Sequence, residues 1–176
     1  MSRTVIITGN RGIGKSTVCR RVAEIARMRG YSCAGIISHA LFNERGEKVG
    51  FTVEDISTGK RWVLGHTARN LRGPRYGLYR FSRSGFRKAH RWSRTALKKG
   101  CDLFILDEIG PLEMEMGGGF RSVLFTLSKS TVPRILLVVR PALLGVVKNF
   151  FSSIQTSVVS VDLENRDRLP ELIFMF

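Results

Sequence analysis

The sequence predicts an α/β fold, a mostly parallel sheet flanked by helices, with an inserted antiparallel hairpin region around residues 41–65. Three observations carry this expectation. Short apolar or β-branched runs alternate with stretches of helical periodicity, the pattern of a parallel sheet covered on both faces. A glycine-rich loop separates the first such run from the first helical stretch. Between residues 41 and 65, NERGE and DISTGK interrupt alternating runs such as VGFTVEDI and RWVLG, which reads as hairpins. The 176 residues suffice for one ordinary core, so a single domain over 1–176 is expected.

Taken in order, residues 4–8 (TVIIT) read as a buried strand. Val18, Val22, Ile25 and Ala26 then recur at helical spacing, and Gly30 follows as the stop. Residues 32–38 (SCAGIIS) read as the next strand, followed by the hairpin region. Residues 68–77, punctuated by Gly73, Pro74 and Gly77, read as a basic loop. Over 83–99 a helix is expected, with Phe86, Ala89, Ser93, Ala96 and Leu97 as its inner stripe. Arg83, Arg87, Arg91, Arg94 and Lys98 fall on another face, and Gly100 ends it. A buried strand at 101–107, a helix at 120–128, a strand at 134–139, a helix at 141–151, a strand at 157–162 and helical turns over 165–174 complete the chain.

Composition narrows the class. At 43% hydrophobic and 24% charged residues, the chain reads as soluble and globular. Its most apolar run, 135–147, is broken by Arg140 and Pro141, and a membrane span needs about 20 apolar residues. No signal peptide is read at the start, so a cytoplasmic location is expected. Cys19, Cys33 and Cys101 lack metal-ligand spacing and read as small buried hydrophobes, and His39, His66 and His90 are equally scattered. The net charge is +15, and it is uneven. No acid occurs between Asp55 and Asp102, a stretch that holds 13 of the 29 Lys and Arg residues. An anionic partner is the functional reading of such a block, and a solvated face is the bland one.

The glycine loop carries the sharpest signal. Gly9-Asn10-Arg11-Gly12-Ile13-Gly14-Lys15-Ser16 matches G-x-x-x-x-G-K-S/T, with a strand before it and a helix after it. Glycines let the backbone curl until its N–H groups converge on phosphate oxygens, and the helix start adds its dipole. Lys15 is expected to reach the β- and γ-phosphates, and Ser16 to offer a hydroxyl to Mg²⁺. Thr17 is placed to donate to the α-phosphate; Arg11 is either a charge contact or solvated.

The second signal is LFILDE, four apolar residues and two carboxylates at residues 103–108. In an open α/β sheet, acids at the C-terminal end of a buried strand face the ligand crevice. Asp107 is expected to hold Mg²⁺, and Glu108 to orient or deprotonate an attacking water. A carboxylate that only shapes the field of the metal is the alternative for Glu108. Glu113 reads either as support behind this pair or as a surface residue.

The ordered set GNRGIGKST, GFTVEDISTGKR, RYGLY, LFILDEIGPLE and ENRD resembles the small P-loop nucleoside-triphosphatases first known from thermophiles, also called cancer-related nucleoside-triphosphatases. The resemblance covers nearly the whole chain. It implies a RecA-like P-loop NTPase core with inserted hairpins. It also implies Mg²⁺-dependent hydrolysis of several nucleoside triphosphates (ATP, GTP, CTP and UTP) to the diphosphate and phosphate. It places Gly9, Asn10, Arg11, Gly12, Ile13, Gly14, Lys15, Ser16 and Thr17 around the nucleotide phosphates, with Asp107 and Glu108 as the acidic pair. Arg166, in ENRD, is the candidate for base contact; a turn capped by Asp162 or Asn165 is the other reading. Two features depart from the family pattern: residues 69–99 are more basic, and Val139-Arg140-Pro141 is altered. Arg140 is read as an internal arginine finger or as a surface arginine.

Rival readings follow from the basic stretch 60–99, where Trp62, Tyr76, Tyr79, Phe81, Phe86 and Trp92 interleave with the cations. Basic residues grip phosphates and aromatics stack on bases, so a nucleotide-gated nucleic-acid binder is one alternative. A small nucleotide kinase, with the arginines of 69–83 as its lid, is another. Arg72 or Arg75 swinging over bound triphosphate is a third use of the same loop.

Overall fold

The computed structural model describes residues 2–175; Met1 and Phe176, the ends of the expected unit, lie outside them. In chain order the elements are β1 (Arg3–Thr8), α1 (Lys15–Met28), β2 (Cys33–Phe42), β3 (Lys48–Asp55), β4 (Arg61–His66), β5 (Arg72–Tyr76), β6 (Tyr79–Ser82) and α2 (Arg83–Lys99). Then follow β7 (Leu103–Ile109), α3 (Pro111–Met114), α4 (Arg121–Ser128), β8 (Arg134–Val139), a 3₁₀ turn (Pro141–Leu143), α5 (Leu144–Phe150), β9 (Gln155–Ser160) and α6 (Leu169–Met175).

All nine strands join one sheet in the order β5-β6-β4-β3-β2-β7-β8-β1-β9. The sheet is mixed. From β2 through β9 every pairing is parallel, whereas β2-β3, β3-β4, β4-β6 and β5-β6 are antiparallel. The expectation of a mostly parallel sheet is therefore corrected. The hairpin region does not stop near residue 65, because residues 72–82 form a second hairpin. The basic loop expected at 68–77 is thus largely strand β5. Glycine and proline there mark irregular pairing, with the register shifting between Arg72 and Arg75, rather than the absence of a strand. Strand β2 joins the two halves: its first residues pair with β7, and its length from Ile36 to Phe42 pairs with β3.

Alternation along the strands builds two apolar layers. Ile6, Phe104, Leu106, Ile135 and Leu137 face one way and pack with Ala89 of α2, Val123, Leu124 and Leu127 of α4, and Val147 of α5. Val5, Ile7, Ile105, Leu136 and Val138 face the other way, onto Val18, Val22 and Ala26 of α1 and Ile173 of α6. Both layers need the parallel strands buried on two faces, which is why these strands read as unbroken apolar runs.

Helix α2 starts and ends where its sequence says. Ser82 Oγ accepts from the Gly85 N–H as N-cap, and Gly100 closes it. Ala89 and Ser93 are buried and Phe86, Ala96 and Leu97 partly so, whereas Arg83, Arg87, Arg91, Arg94 and Lys98 are exposed. The three cysteines are free, with Cys19 fully buried. Among the described residues no helix is long and apolar enough to cross a membrane.

One glycine fixes how β2 meets β7. Gly35 has φ of 113°, and a Cβ there would lie 1.9 Å from the carbonyl oxygen of Ile105. Backbone on a central strand has no room to yield. Gly35→Ala is expected to lose about 3 kcal/mol or more in urea unfolding. A loss under about 1 kcal/mol, the ordinary backbone effect, would show that the strands separate easily.

Candidate functional site

The site forms where β1 and β7 end, on the same edge of the sheet. After Thr8 the chain turns through Gly9 to Gly14, and α1 begins at Lys15. Gly9 has φ of 137°, and a Cβ there would sit 2.7 Å from the Val161 carbonyl oxygen. The loop is thus pressed against the segment that follows β9. Lys15 folds back over the loop, its Nζ donating to the carbonyl oxygens of Gly9 (2.8 Å) and Asn10 (2.6 Å). Burial holds its pKa below the ordinary lysine value; Asp107 and Glu108 raise it in opposition, and Arg140 lowers it further. These four charges therefore share one field.

Strand β7 does not end regularly. Leu106 pairs with Leu137 and Ile109 with Val139, so β7 holds one more residue than β8 across this interval. That is a bulge, and Glu108 within it has φ of 70°, a left-handed conformation that costs a non-glycine residue energy. The bulge breaks the alternation, so that both acids stand at the strand end instead of on opposite faces of the sheet. Asp107 is 1% exposed. It accepts hydrogen bonds from the Ser16 hydroxyl and, at 3.1 Å, from the Ser38 backbone N–H. Glu108 emerges half-exposed, its Oε1 3.2 Å from Arg140 Nη2.

Burial pushes the Asp107 carboxyl up to about 6; the Glu108 charge adds to the rise, while the Ser16 and Ser38 hydrogen bonds and Lys15 oppose it. An oxygen-rich pocket holding one buried carboxylate and one hydroxyl suits a hard cation such as Mg²⁺, which takes one or two protein oxygens and keeps the rest for water and phosphate. Among the described residues no group of three or more His, Cys, Asp or Glu side chains forms a complete metal cage.

Other expected residues gather here too. Thr17 Oγ1 accepts from Arg20 Nη2 at 3.2 Å. The Arg166 stem lies next to Gly14, with Cδ 3.7 Å from where a Cβ would stand. The capped turn read in ENRD is present: Asp162 Oδ1 accepts from the Glu164 (2.9 Å) and Asn165 (2.8 Å) N–H groups, in the turn that carries Arg166. Arg11 is not simply solvated: its Nη2 lies 3.4 Å from the Tyr79 hydroxyl of β6. Arg140 is exposed, as its surface reading has it, and its Nη2 reaches Glu108 Oε1 at 3.2 Å. The surface reading of Glu113 fails outright. It is 4% exposed and accepts from the N–H groups of Gly110 (2.9 Å) and Phe120 (3.1 Å), pinning the segment after the acidic pair. Arg72 and Arg75 belong to β5 at the edge of the sheet and are not on a free loop.

A family profile described as NTPase matches residues 4–174. The chain belongs to this family. The nucleoside-triphosphatase THEP1 of Methanosarcina acetivorans is 33% identical over 171 residues, covering 96% of this chain and 93% of that protein. That of Methanopyrus kandleri is 31% identical over 175 residues, covering 98% and 94%. The solution structure of a human cancer-related nucleoside triphosphatase superposes with a TM-score of 0.77 at 23% identity, covering 99% of this chain and 96% of that one. The crystal structure of THEP1 from the hyperthermophile Aquifex aeolicus gives 0.72 at 22% identity, covering 97% and 96%. At such identities the two structures establish a shared fold.

Sequence reasoning on this family member missed Ser38 and the bulge, and left Glu113 open between support and surface. None has a local signature. Ser38 sits in a strand read as apolar, and only the glycine after Ile109 hints that Glu113 folds back.

Two outcomes follow. Native Asp107 keeps its proton to a higher pH than the carboxyl of the unfolded chain. Between the ordinary value of 3.8 and about 6 the folded state therefore binds more protons, and stability falls as pH rises through that window. Urea unfolding without added metal should lose roughly 3 kcal/mol from this group by neutral pH. Asp107→Asn should lack that loss; an identical pH profile in the variant would refute the assignment. Glu108→Gly should relieve the left-handed strain and raise stability by on the order of 1 kcal/mol; a destabilised variant would mean the bulge is held by the glutamate itself.

Proposed function

We propose that this chain hydrolyses nucleoside 5′-triphosphates to the diphosphate and phosphate, with Mg²⁺, by attack of water on the γ-phosphate, and that residues 1–176 work as one catalytic unit with a RecA-like P-loop core. Family membership supports hydrolysis of nucleoside triphosphates. The observation that carries the mechanism is the bulge of β7, which sets a buried Asp107 and a half-exposed Glu108 together at the strand end beside the glycine loop. One strand, β8, stands between β1 and β7. The ends of β1 and β7 are then two strand spacings apart, about 10 Å, and the start of α1 brings Ser16 across that interval to Asp107.

Roles follow from position. Backbone N–H groups of residues 9–17 and the start of α1 receive the phosphates. Lys15 leaves the Gly9 and Asn10 carbonyls for the β- and γ-oxygens, a move from neutral acceptors to charged ones. Ser16 and Asp107 would hold Mg²⁺, which would supply charge neutralisation for the triphosphate. Glu108 orients the water and takes its proton as the new P–O bond forms and the bridging β–γ P–O bond breaks. Arg140, beside Glu108, faces the charge that develops on the γ-phosphate. Arg166 lies near the loop for the base. The loop contacts read phosphates and not bases, which supports acceptance of ATP, GTP, CTP and UTP alike. The kinase alternative weakens, since residues 72–82, which would supply its lid, pair as a hairpin.

Phosphate release from the four nucleotides checks this reading. Lys15→Ala and Glu108→Gln should each lower kcat by about 100-fold or more, with Glu108→Gln still binding nucleotide. Release that persists at wild-type rate in Glu108→Gln would remove the water-activating role.

A further inference from the structure

The site described above does not use most of the positive charge of this chain. Thirteen of the 29 Lys and Arg residues lie between Asp55 and Asp102, with no acid among them. Ten of them lie on α2 and the β5-β6 hairpin, which adjoin in the fold.

Arg83, Arg87, Arg91, Arg94 and Lys98 form an exposed stripe on α2. At about 1.5 Å per residue it runs about 22 Å along the axis. Other arginines join ion pairs: Arg21 with Asp167 at 3.1 Å, Arg29 with Glu171 at 2.9 Å, Arg61 with Glu54 at 2.6 Å and Arg140 with Glu108 at 3.2 Å. Among the described residues no member of the stripe joins an ion pair. Its neighbours stand three or four residues apart, where like charges repel. No acid occupies the first turn, and Arg83 opens the helix at the positive end of its dipole. On the hairpin, Arg75 pairs directly opposite Arg80, again like against like. Three unfavourable placements of positive charge thus occur on α2 and the adjoining hairpin.

We propose that α2 and the β5-β6 hairpin bind the phosphate backbone of a nucleic-acid strand, without regard to its sequence. A linear file of cations suits a linear file of phosphates; 22 Å covers about six steps of a duplex at about 3.4 Å each. Trp62 lies beside the stripe, 42% exposed, with Lys88 Nζ 4.1 Å over its ring. Tyr76 is exposed near the hairpin turn. Such rings stack on bases of any kind. A membrane fits less well, because the apolar residues of α2 face the core and the helix offers no apolar face to insert; Leu78 at the hairpin turn is exposed, a single aliphatic side chain. An acidic protein would meet no apolar anchor at the centre of the stripe. The surface also reaches the nucleotide loop, where the Arg11 guanidinium meets Tyr79.

The test is fluorescence anisotropy of a labelled single-stranded RNA of about 24 nucleotides and of a matched duplex, titrated at several salt concentrations. Each phosphate contact contributes about −0.7 to the salt slope on a single strand, so a full stripe gives about −3.5. Arg87→Gln/Arg91→Gln/Arg94→Gln should flatten that slope by about 2 and weaken binding about tenfold or more, while phosphate release and melting temperature hold. The charge-matched control Arg45→Gln/Lys48→Gln/Lys148→Gln should bind as the wild type does. Equal losses in the two triple variants would overturn the proposal, because binding would then follow net charge alone. Tighter binding to phosphatidylserine vesicles than to RNA or duplex would overturn it as well. Hydrolysis of triphosphates is read separately, so either conclusion can fail without the other.

Discussion

A carboxyl group with almost no solvent contact organises this protein. Asp107 ends the apolar run of β7, and its two hydrogen-bond donors come from different elements, the Ser16 hydroxyl at the start of α1 and the Ser38 backbone in β2. Three segments distant in sequence are therefore tied through one side chain. Burying a carboxylate without a full set of partners is costly. The group answers by holding its proton to about 6. A buried acid that is poorly stabilised alone is also a group whose ionised form gains much from a nearby cation.

The bulge at Glu108 adds a second local cost. A regular β7 would turn Asp107 and Glu108 to opposite faces of the sheet. With the extra residue, both stand at the strand end, one buried and one open to solvent beside Arg140. Glu113 supports this arrangement from behind, since its carboxylate accepts from Gly110 and Phe120 and closes the segment after the bulge. Strain and buried charge concentrate within seven residues, while the rest of the sheet follows ordinary rules of packing. Such a distribution is typical of functional sites, where local cost is carried by the surrounding core.

The antiparallel half of the sheet serves differently. It continues the parallel half through β2 and carries much of the excess charge on its outer strands and on α2. Tyr79 and Arg11 join its tip to the glycine loop. The architecture thus combines an edge that carries the glycine loop and the acidic pair with a basic flank on α2 and the β5-β6 hairpin.

The sequence by itself determined the glycine loop, the acidic pair, helix α2 to its end residues and the apolar strands of the parallel half. Each is written in contiguous residues, through spacing, capping and periodicity, so local physics suffices to read it. The family resemblance was equally legible because its motifs are local. The tertiary structure alone decided that residues 72–82 form a hairpin, that Glu113 is buried, that Ser38 serves Asp107 and that Arg140 meets Glu108. Proline and glycine concealed the hairpin, since a strand stabilised by its neighbour need not show β-propensity of its own. The other three depend on which distant backbone or side chain fills a partner's hydrogen-bonding capacity. That is a property of strand order and register, and no window of sequence contains it.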